Sequence, residues 1–248
     1  MPGLSELRLG DIEGVPALAG AVAMALHVAM LESGEDLLLF HTWDPPALSL
    51  GRFQTAAGVR RDRLTADGMD LVRRPTGGGA ILHAGDLTYA VTLASTGKTL
   101  DDYARVAAAL RAGLARLGVA AQQQHRAGPP RRDTLCFASA SGSDLRVGAA
   151  KVCGSAQVRR HGRVLQHGSL PLDARPFGAG RYLDGPPVTG HVLRADAPAV
   201  AAALRAGFHQ ALGPVEPATA GVEAGVRARL DAVLQRGPTL KPHSRVGP

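Results

Sequence analysis

The chain has 248 residues, 45% of them apolar and 20% charged, with a net charge of +7; this fits one large globular domain or two small ones, not a fibre or a disordered chain. No apolar run reaches the ~18 residues that a bilayer span needs, and Met1 to Asp11 lacks the basic-then-apolar pattern of a secretory leader. Two cysteines, Cys136 and Cys153, exclude a disulfide framework and the usual zinc clusters, so a reduced, cytoplasmic protein without metal is the expectation.

Val15, Leu18, Val22, Leu26 and Met30 recur at helical spacing and predict a helix over 15–33, stopped by Gly34. Leu37 to Trp43 is an apolar run of strand length, and the Asp-Pro-Pro turn at 44–46 separates it from a strand at Ala47 to Leu50. A short helical piece over Leu64 to Asp67 closes at Gly68. A strand over Met69 to Val72 then runs into Arg73-Arg74-Pro75-Thr76 and glycines 77–79. Leu87, Tyr89, Val91 and Leu93 alternate with Thr88, Ala90 and Thr92, the pattern of a half-buried strand. Thr99 and Asp102 form a capping-box pattern ahead of a helix carried by Tyr103, Val106, Leu110, Leu114 and Leu117. A polar loop follows over Ala120 to Asp133. Strands are expected at Leu145 to Val147 and Val152 to Val158 and, after a hairpin at Arg160 to Arg163, at Val164 to Leu172. Asp196 with Pro198 opens a helix carried by Val200, Leu204 and Phe208, and Val222, Val226, Leu230 and Val233 mark the last one. With no repeat and no long linker, the pattern predicts one α+β domain over residues 1–236 and a disordered tail at 237–248.

The charge is uneven. Between Tyr103 and Leu172 eleven basic residues face only Asp133 and Asp144, while the remainder of the chain is slightly acidic. Such a stretch either steers acidic partners to a site or is a solvated face of an Arg-rich chain. Nine aromatic residues supply no stacking platform and no known binding module, which argues against nucleic acid. Only three of the 28 basic residues are Lys, and Lys151 alone opens an apolar segment. Lys differs from Arg in being a compact charge that responds to burial, so its retention there points to chemistry or to chance.

Three groupings carry possible chemistry. Gly77, Gly78 and Gly79 after a strand let backbone approach a ligand closely or simply make a turn. Their flanks, Arg73-Arg74 and Ala80-Ile81-Leu82, suggest a ligand with a polar head and an apolar body. Cys136 with Lys151 reads either as a thiolate nucleophile beside a fixed positive charge or as a small buried residue before Phe137. Gly154-Ser155-Ala156 facing Gly168-Ser169 leaves room for a narrow tunnel. His167 and His83 read as bases or as core histidines holding backbone carbonyls.

Together these segments resemble the lipoyl/octanoyl transferase and lipoate–protein ligase A superfamily, which includes biotin ligases. The resemblance is strongest to the Cys/Lys octanoyltransferases that draw octanoate from acyl carrier protein. It is carried by Phe40-x-x-Trp43-x-Pro45-Pro46-x-Leu48-Ser49-x-Gly51-x-Phe53-Gln54, Arg73-Arg74-x-Thr76-Gly77-Gly78 with His83, and Leu87-Thr88-Tyr89. It continues in Cys136-Phe137, Ser141, Asp144-Leu145, Lys151-Val152-x-Gly154-Ser155-Ala156-Gln157 and Leu165-Gln166-His167-Gly168-Ser169. The likeness covers about residues 35 to 172. It departs in the first helix, where the family's Asn-Met-Ala-x-Asp-Glu run is Ala23-Met24-Ala25-Leu26-His27-Val28, and at Gly79, where the transferases often carry Arg and the ligases Gly.

The resemblance implies a biotin/lipoyl ligase-like catalytic domain with a mixed sheet packed by helices. It places Cys136 as nucleophile and Lys151 beside the acyl carbonyl, with Cys153 structural. Arg73, Arg74, Thr76, Gly77, Gly78, Gly79 and His83, with Gly154, Ser155, Ala156, His167 and Gly168, would line the fatty-acyl tunnel. The implied donor is octanoyl-acyl carrier protein and the acceptor a lysine of a lipoyl domain or glycine-cleavage H-type protein, with no cofactor and no membrane. The alternatives are a ligase using ATP and Mg²⁺, an amidotransferase between lipoyl domains, and a non-catalytic lipoyl-domain binder.

Overall fold

The computed structural model describes residues 9–123, 135 and 144–237. Cys136, Phe137, Ser141, most of the predicted loop over 120–133 and the tail beyond Gly237 lie outside the described residues. The elements run β1 (Leu9–Ile12), β2 (Ala17–Leu18), α1 (Gly20–Ser33), β3 (Leu37–Trp43), β4 (Ala47–Leu50), α2 (Arg61–Ala66), β5 (Asp70–Arg73), β6 (Ile81–His83) and β7 (Asp86–Ala94). They continue with α3 (Thr99–Arg116), β8 (Gln122–Gln123), β9 (Leu145–Val147), β10 (Ala150–Arg160), β11 (Arg163–Pro171), a 3₁₀ helix (Arg175–Arg181), α4 (Ala197–Leu212), β12 (Val215–Pro217) and α5 (Ala220–Arg236). The fold is α+β. A large mixed sheet has the order β12-β1-β3-β7-β11-β10-β9-β8, with β2 also on β3, and a small sheet has the order β5-β4-β6. Among the described residues no helix is long and apolar enough to cross a membrane.

The large sheet is covered on both faces. Leu38, Phe40, Leu87, Tyr89, Val91 and Leu93 pack with Val106, Leu110 and Leu114 of α3 and Val200, Leu204 and Phe208 of α4. From the other face Leu37, Leu39, Ala90 and Leu165 pack with Val28, Ala29 and Met30 of α1 and Val226 and Val233 of α5. The expectation of a half-buried strand at 87–93 is therefore corrected: β7 is buried on both faces from Asp86 to Leu93. Its alternation is one of large against small side chains, and the threonine hydroxyls on the small face are satisfied internally. Thr92 donates to the Glu35 carbonyl at 2.8 Å and accepts from the Leu37 amide, and Thr88 accepts from Trp43 Nε1 at 2.9 Å.

Other differences follow from tertiary pairing. The first helix begins at Gly20 rather than 15, because Ala17 and Leu18 pair with Thr42 and Trp43 as β2; it ends at Gly34, which adopts φ 82°. The capping box at Thr99 and Asp102 does not form. The Asp102 carboxylate instead accepts from the Thr96 amide at 2.8 Å, Ser95 Oγ at 2.7 Å and Arg159 Nε at 3.1 Å. Asp196 does cap α4, accepting from the Ala199 amide at 2.7 Å. Strands β1, β6 and β12, of three or four residues, are too short to show a period.

Candidate functional site

The glycine loop joins β5 to β6 and is gripped from both ends. Arg73 Nη1 donates to the carbonyls of Gly51 at 2.8 Å and Gln54 at 2.6 Å, pinning the neighbouring turn, whose Arg52 amide donates to the Thr76 carbonyl at 2.7 Å. Arg74, buried, donates through Nη1 to Ser49 Oγ at 2.7 Å and the Ser49 carbonyl at 2.9 Å. Through Nη2 it reaches the carbonyls of Gly79 at 2.7 Å and Gly77 at 3.2 Å. Both guanidinium groups thus shape backbone around the loop. Gly78 sits at φ 94°, and a Cβ on Gly51 would overlap the Gly78 carbonyl.

Opposite the loop, β10 and β11 pair Gly154 with Ser169, Ser155 with Gly168 and Ala156 with His167. A Cβ on Gly168 would lie 2.6 Å from both the Gly154 carbonyl and the Tyr89 ring, so only glycine fits. Between loop and hairpin lies a narrow, half-open cavity of about 20 Å³. Arg74, Ile81, His83, Gly154, Ser155, Ala156, His167, Gly168 and Ser169 line it, together with Met24, Trp43 and Thr88.

A buried polar lattice supports the wall. Ser49 Oγ, which accepts from Arg74, lies 2.8 Å from His83 Nε2. His83 Nδ1 donates to Asp86 Oδ2 at 2.8 Å, and Ser169 Oγ donates to the same oxygen at 2.6 Å. The His83 ring stacks on Trp43 with centroids 3.9 Å apart. Both ring nitrogens of His167 meet side chains: its Nε2 lies 2.6 Å from Thr76 Oγ1 and its Nδ1 3.0 Å from His27 Nδ1. His27 Nε2 in turn lies 3.1 Å from His41 Nε2. Burial, reinforced by the surrounding imidazoles and, for His167, by the Arg74 guanidinium, pushes His27 and His167 well below the usual imidazole range, and burial pushes His41 down to about 4. Burial likewise pushes the Tyr89 phenol well up; its oxygen bonds Ser155 Oγ and Gln166 Nε2, each at 2.7 Å.

Lys151 is buried, and its ammonium lies 2.9 Å from the Asp144 carboxylate. The segment after the 3₁₀ helix closes over it: the His191 amide donates to the Lys151 carbonyl at 2.8 Å, and a Cβ on Gly190 would lie 2.7 Å from that oxygen. Leu135, the residue before Cys136, is buried and bridges Ala80 directly after the glycine loop. Cys153 is a buried thiol whose Sγ lies 3.7 Å from Ser155 Oγ.

Of the residues singled out in the sequence, Arg74, His83, Gly154, Ser155, Ala156, His167 and Gly168 therefore meet around one cavity. Thr76 stands one hydrogen bond behind it, and Arg73 and Gly77 to Gly79 build the loop. Lys151 lies on the same strand as Gly154 but does not line the cavity, and Cys136 lies outside the described residues. Sequence reasoning missed His41, and noted His27 only as a departure from the family run. Neither has a motif or period to mark it, since its role comes from contacts between separate elements.

The basic stretch is less basic in space than in sequence. Arg159 pairs with Asp102, Arg160 with Glu32, Arg163 with Asp36 and Lys151 with Asp144. Three of these acids come from outside the stretch.

Comparison with known proteins agrees with this architecture. Residues 17–191 match the lipoyl protein ligase A/B catalytic domain, and the chain belongs to that family. It is 44% identical over 146 residues to the octanoyltransferase LipM of Symbiobacterium thermophilum, covering 55% of this chain and 53% of the relative. It is 40% identical over 173 residues to the octanoyltransferase LipM of Exiguobacterium sibiricum, covering 63% and 62%. The chain thus spans between about half and three-fifths of the length of these curated relatives. A crystal structure of lipoate-protein ligase A bound with ATP superposes with a TM-score of 0.76 at 23% identity, over 93% of this chain and 96% of that one, showing a shared fold.

Proposed function

We propose that the chain is an octanoyltransferase that carries an octanoyl group through a cysteine thioester to the lysine of a lipoyl domain or H-type protein. The observation that carries this reading is the narrow cavity walled by glycine and small residues, in a chain 40–44% identical to octanoyltransferases over its aligned part. The octanoyl chain enters at the cavity, which widens from about 20 Å³ to admit it, with its carbonyl at the glycine loop. The Cys136 thiolate attacks the thioester of octanoyl-acyl carrier protein; the carbon–sulfur bond to Cys136 forms, the bond to the carrier breaks, and the carrier thiolate takes up a proton as it leaves. The Lys151 ammonium, held by Asp144, stabilises the oxyanion, a contact worth roughly 3 kcal/mol. The neutral acceptor amine then attacks the acyl-Cys136 thioester; the amide bond forms, the bond to Cys136 breaks, and the proton lost by nitrogen returns to the sulfur. Thioester to amide runs downhill, so the sequence needs no ATP.

The test is incubation with octanoyl-acyl carrier protein and an apo lipoyl domain with ATP omitted, followed by intact-mass spectrometry. An octanoylated acceptor and an octanoyl adduct on Cys136, both lost in Cys136→Ser, are expected. Transfer that requires free octanoate, ATP and Mg²⁺ and survives in Cys136→Ser would assign the chain to the ligases instead.

A further inference from the structure

Three buried imidazoles that the mechanism does not use are hydrogen-bonded to one another, and those bonds run in one direction only. A carbonyl can only accept, so the His41 nitrogen 3.0 Å from the Thr42 oxygen, Nδ1, carries the proton. His41 is neutral at physiological pH, so its Nε2 is a lone pair, and His27 Nε2 at 3.1 Å must donate to it. Neutral His27 then presents a lone pair at Nδ1, to which His167 Nδ1 donates at 3.0 Å. His167 Nε2 is left as an acceptor, and the Thr76 hydroxyl donates to it at 2.6 Å. A neutral imidazole has one donor and one acceptor, so reversing any link would set two N–H groups or two lone pairs face to face.

We propose that His41, His27 and His167 form a one-way buried chain, with His167 as the positioning residue that locks the Thr76 hydroxyl and the start of the glycine loop in one orientation at the cavity wall. The chain links four separate segments, β3, α1, β11 and the loop, at the point where the loop leaves β5. Its composition suits a fixed spacer better than a proton store. A proton passed inward from Thr76 would come to rest on His41, which binds a proton about 300-fold more weakly than a free imidazole. The kinetic consequence of the proposal rests on the acyl-transfer reading; the hydrogen-bond direction does not.

Two measurements test it. In protein labelled with ¹⁵N-histidine at pH 7.5, nitrogen–nitrogen couplings across hydrogen bonds should join three neutral rings, two Nδ1–H forms flanking one Nε2–H form. Absent couplings, a charged ring or the opposite tautomers would overturn the chain. In octanoyl transfer, His27→Leu should lower kcat about tenfold with an unchanged KM for the donor. His27→Gln, whose amide also offers one donor and one acceptor, should recover most of it. An unchanged kcat in a folded His27→Leu protein would refute the positioning role; if that variant does not fold, the couplings decide. A wild-type protein with no transfer activity but with both couplings would sink the acyl-transfer reading and leave the chain standing.

Discussion

Individual side chains at this site are governed by burial. The rings of His27, His41 and His167 lie on three different elements and are faced by Arg74, His83 and Asp86 from the loop and the two strands beside it. His41 is held near 4 in the folded protein against ~6.5 when unfolded, so the unfolded chain takes up protons first as pH falls. Stability is therefore full above pH ~6.5 and falls as pH drops toward 4. At pH 5 the loss from His41 alone is about 2 kcal/mol. Asp102, brought below its ordinary range by the Thr96 and Ser95 hydrogen bonds against its burial, costs stability only below ~3.9, so the higher window belongs to the histidines. Urea midpoints at pH 7.5 and 5.0 check this; a flat profile would mean that the rings are solvated. The glycines separate in the same way. A Cβ on Gly51 would overlap backbone, whereas one on Gly77 would meet open space without left-handed φ. Gly51→Ala should lose at least about 2 kcal/mol, and Gly77→Ala should stay within about 0.5 kcal/mol. Loss of transfer in a stable Gly77→Ala protein would then show that the bare loop surface faces the ligand.

Among the elements, α3 and α4 cross at paired glycines, where backbone meets backbone. A Cβ on Gly207 would lie 2.7 Å from Gly113 Cα, and one on Gly113 would lie 2.7 Å from Leu204 Cα. Alanine improves an isolated helix by about 1 kcal/mol over glycine. Here the obstacle is backbone and cannot rotate away, so overpacking of about 1–3 kcal/mol should prevail. Gly207→Ala is expected to lower the melting temperature, and a rise would show that the two helices can separate without penalty. The periodicity of α3 and α4 was legible because each presents one apolar face. That of α1 was blurred at its start, since Ala17 and Leu18 answer to β3 and not to the helix. The burial of β7 was not legible: its threonines read as solvent-facing, and only the hydrogen bonds to Glu35 and Trp43 explain why they are inside.

Over the whole molecule the net charge of +7 remains, but the linear cluster is dispersed by Asp102, Glu32 and Asp36. Attraction of an acidic acceptor domain should therefore come from the overall charge and be screened within ~10 Å at 0.1 M salt. Its KM is expected to rise at least about threefold between 20 and 200 mM salt with kcat unchanged, and a KM indifferent to salt would remove long-range attraction from the account. By itself the sequence determined the α+β class, the glycine loop, the small residues of β10 and β11, and the resemblance that the family match upholds. These are local or motif properties, written in spacing and residue size. Only the tertiary structure decided that Arg73 and Arg74 hold backbone, that Lys151 answers to Asp144, and that histidines from three elements end on Thr76. A side chain's partner across a fold is set by packing between distant segments, which no local pattern encodes.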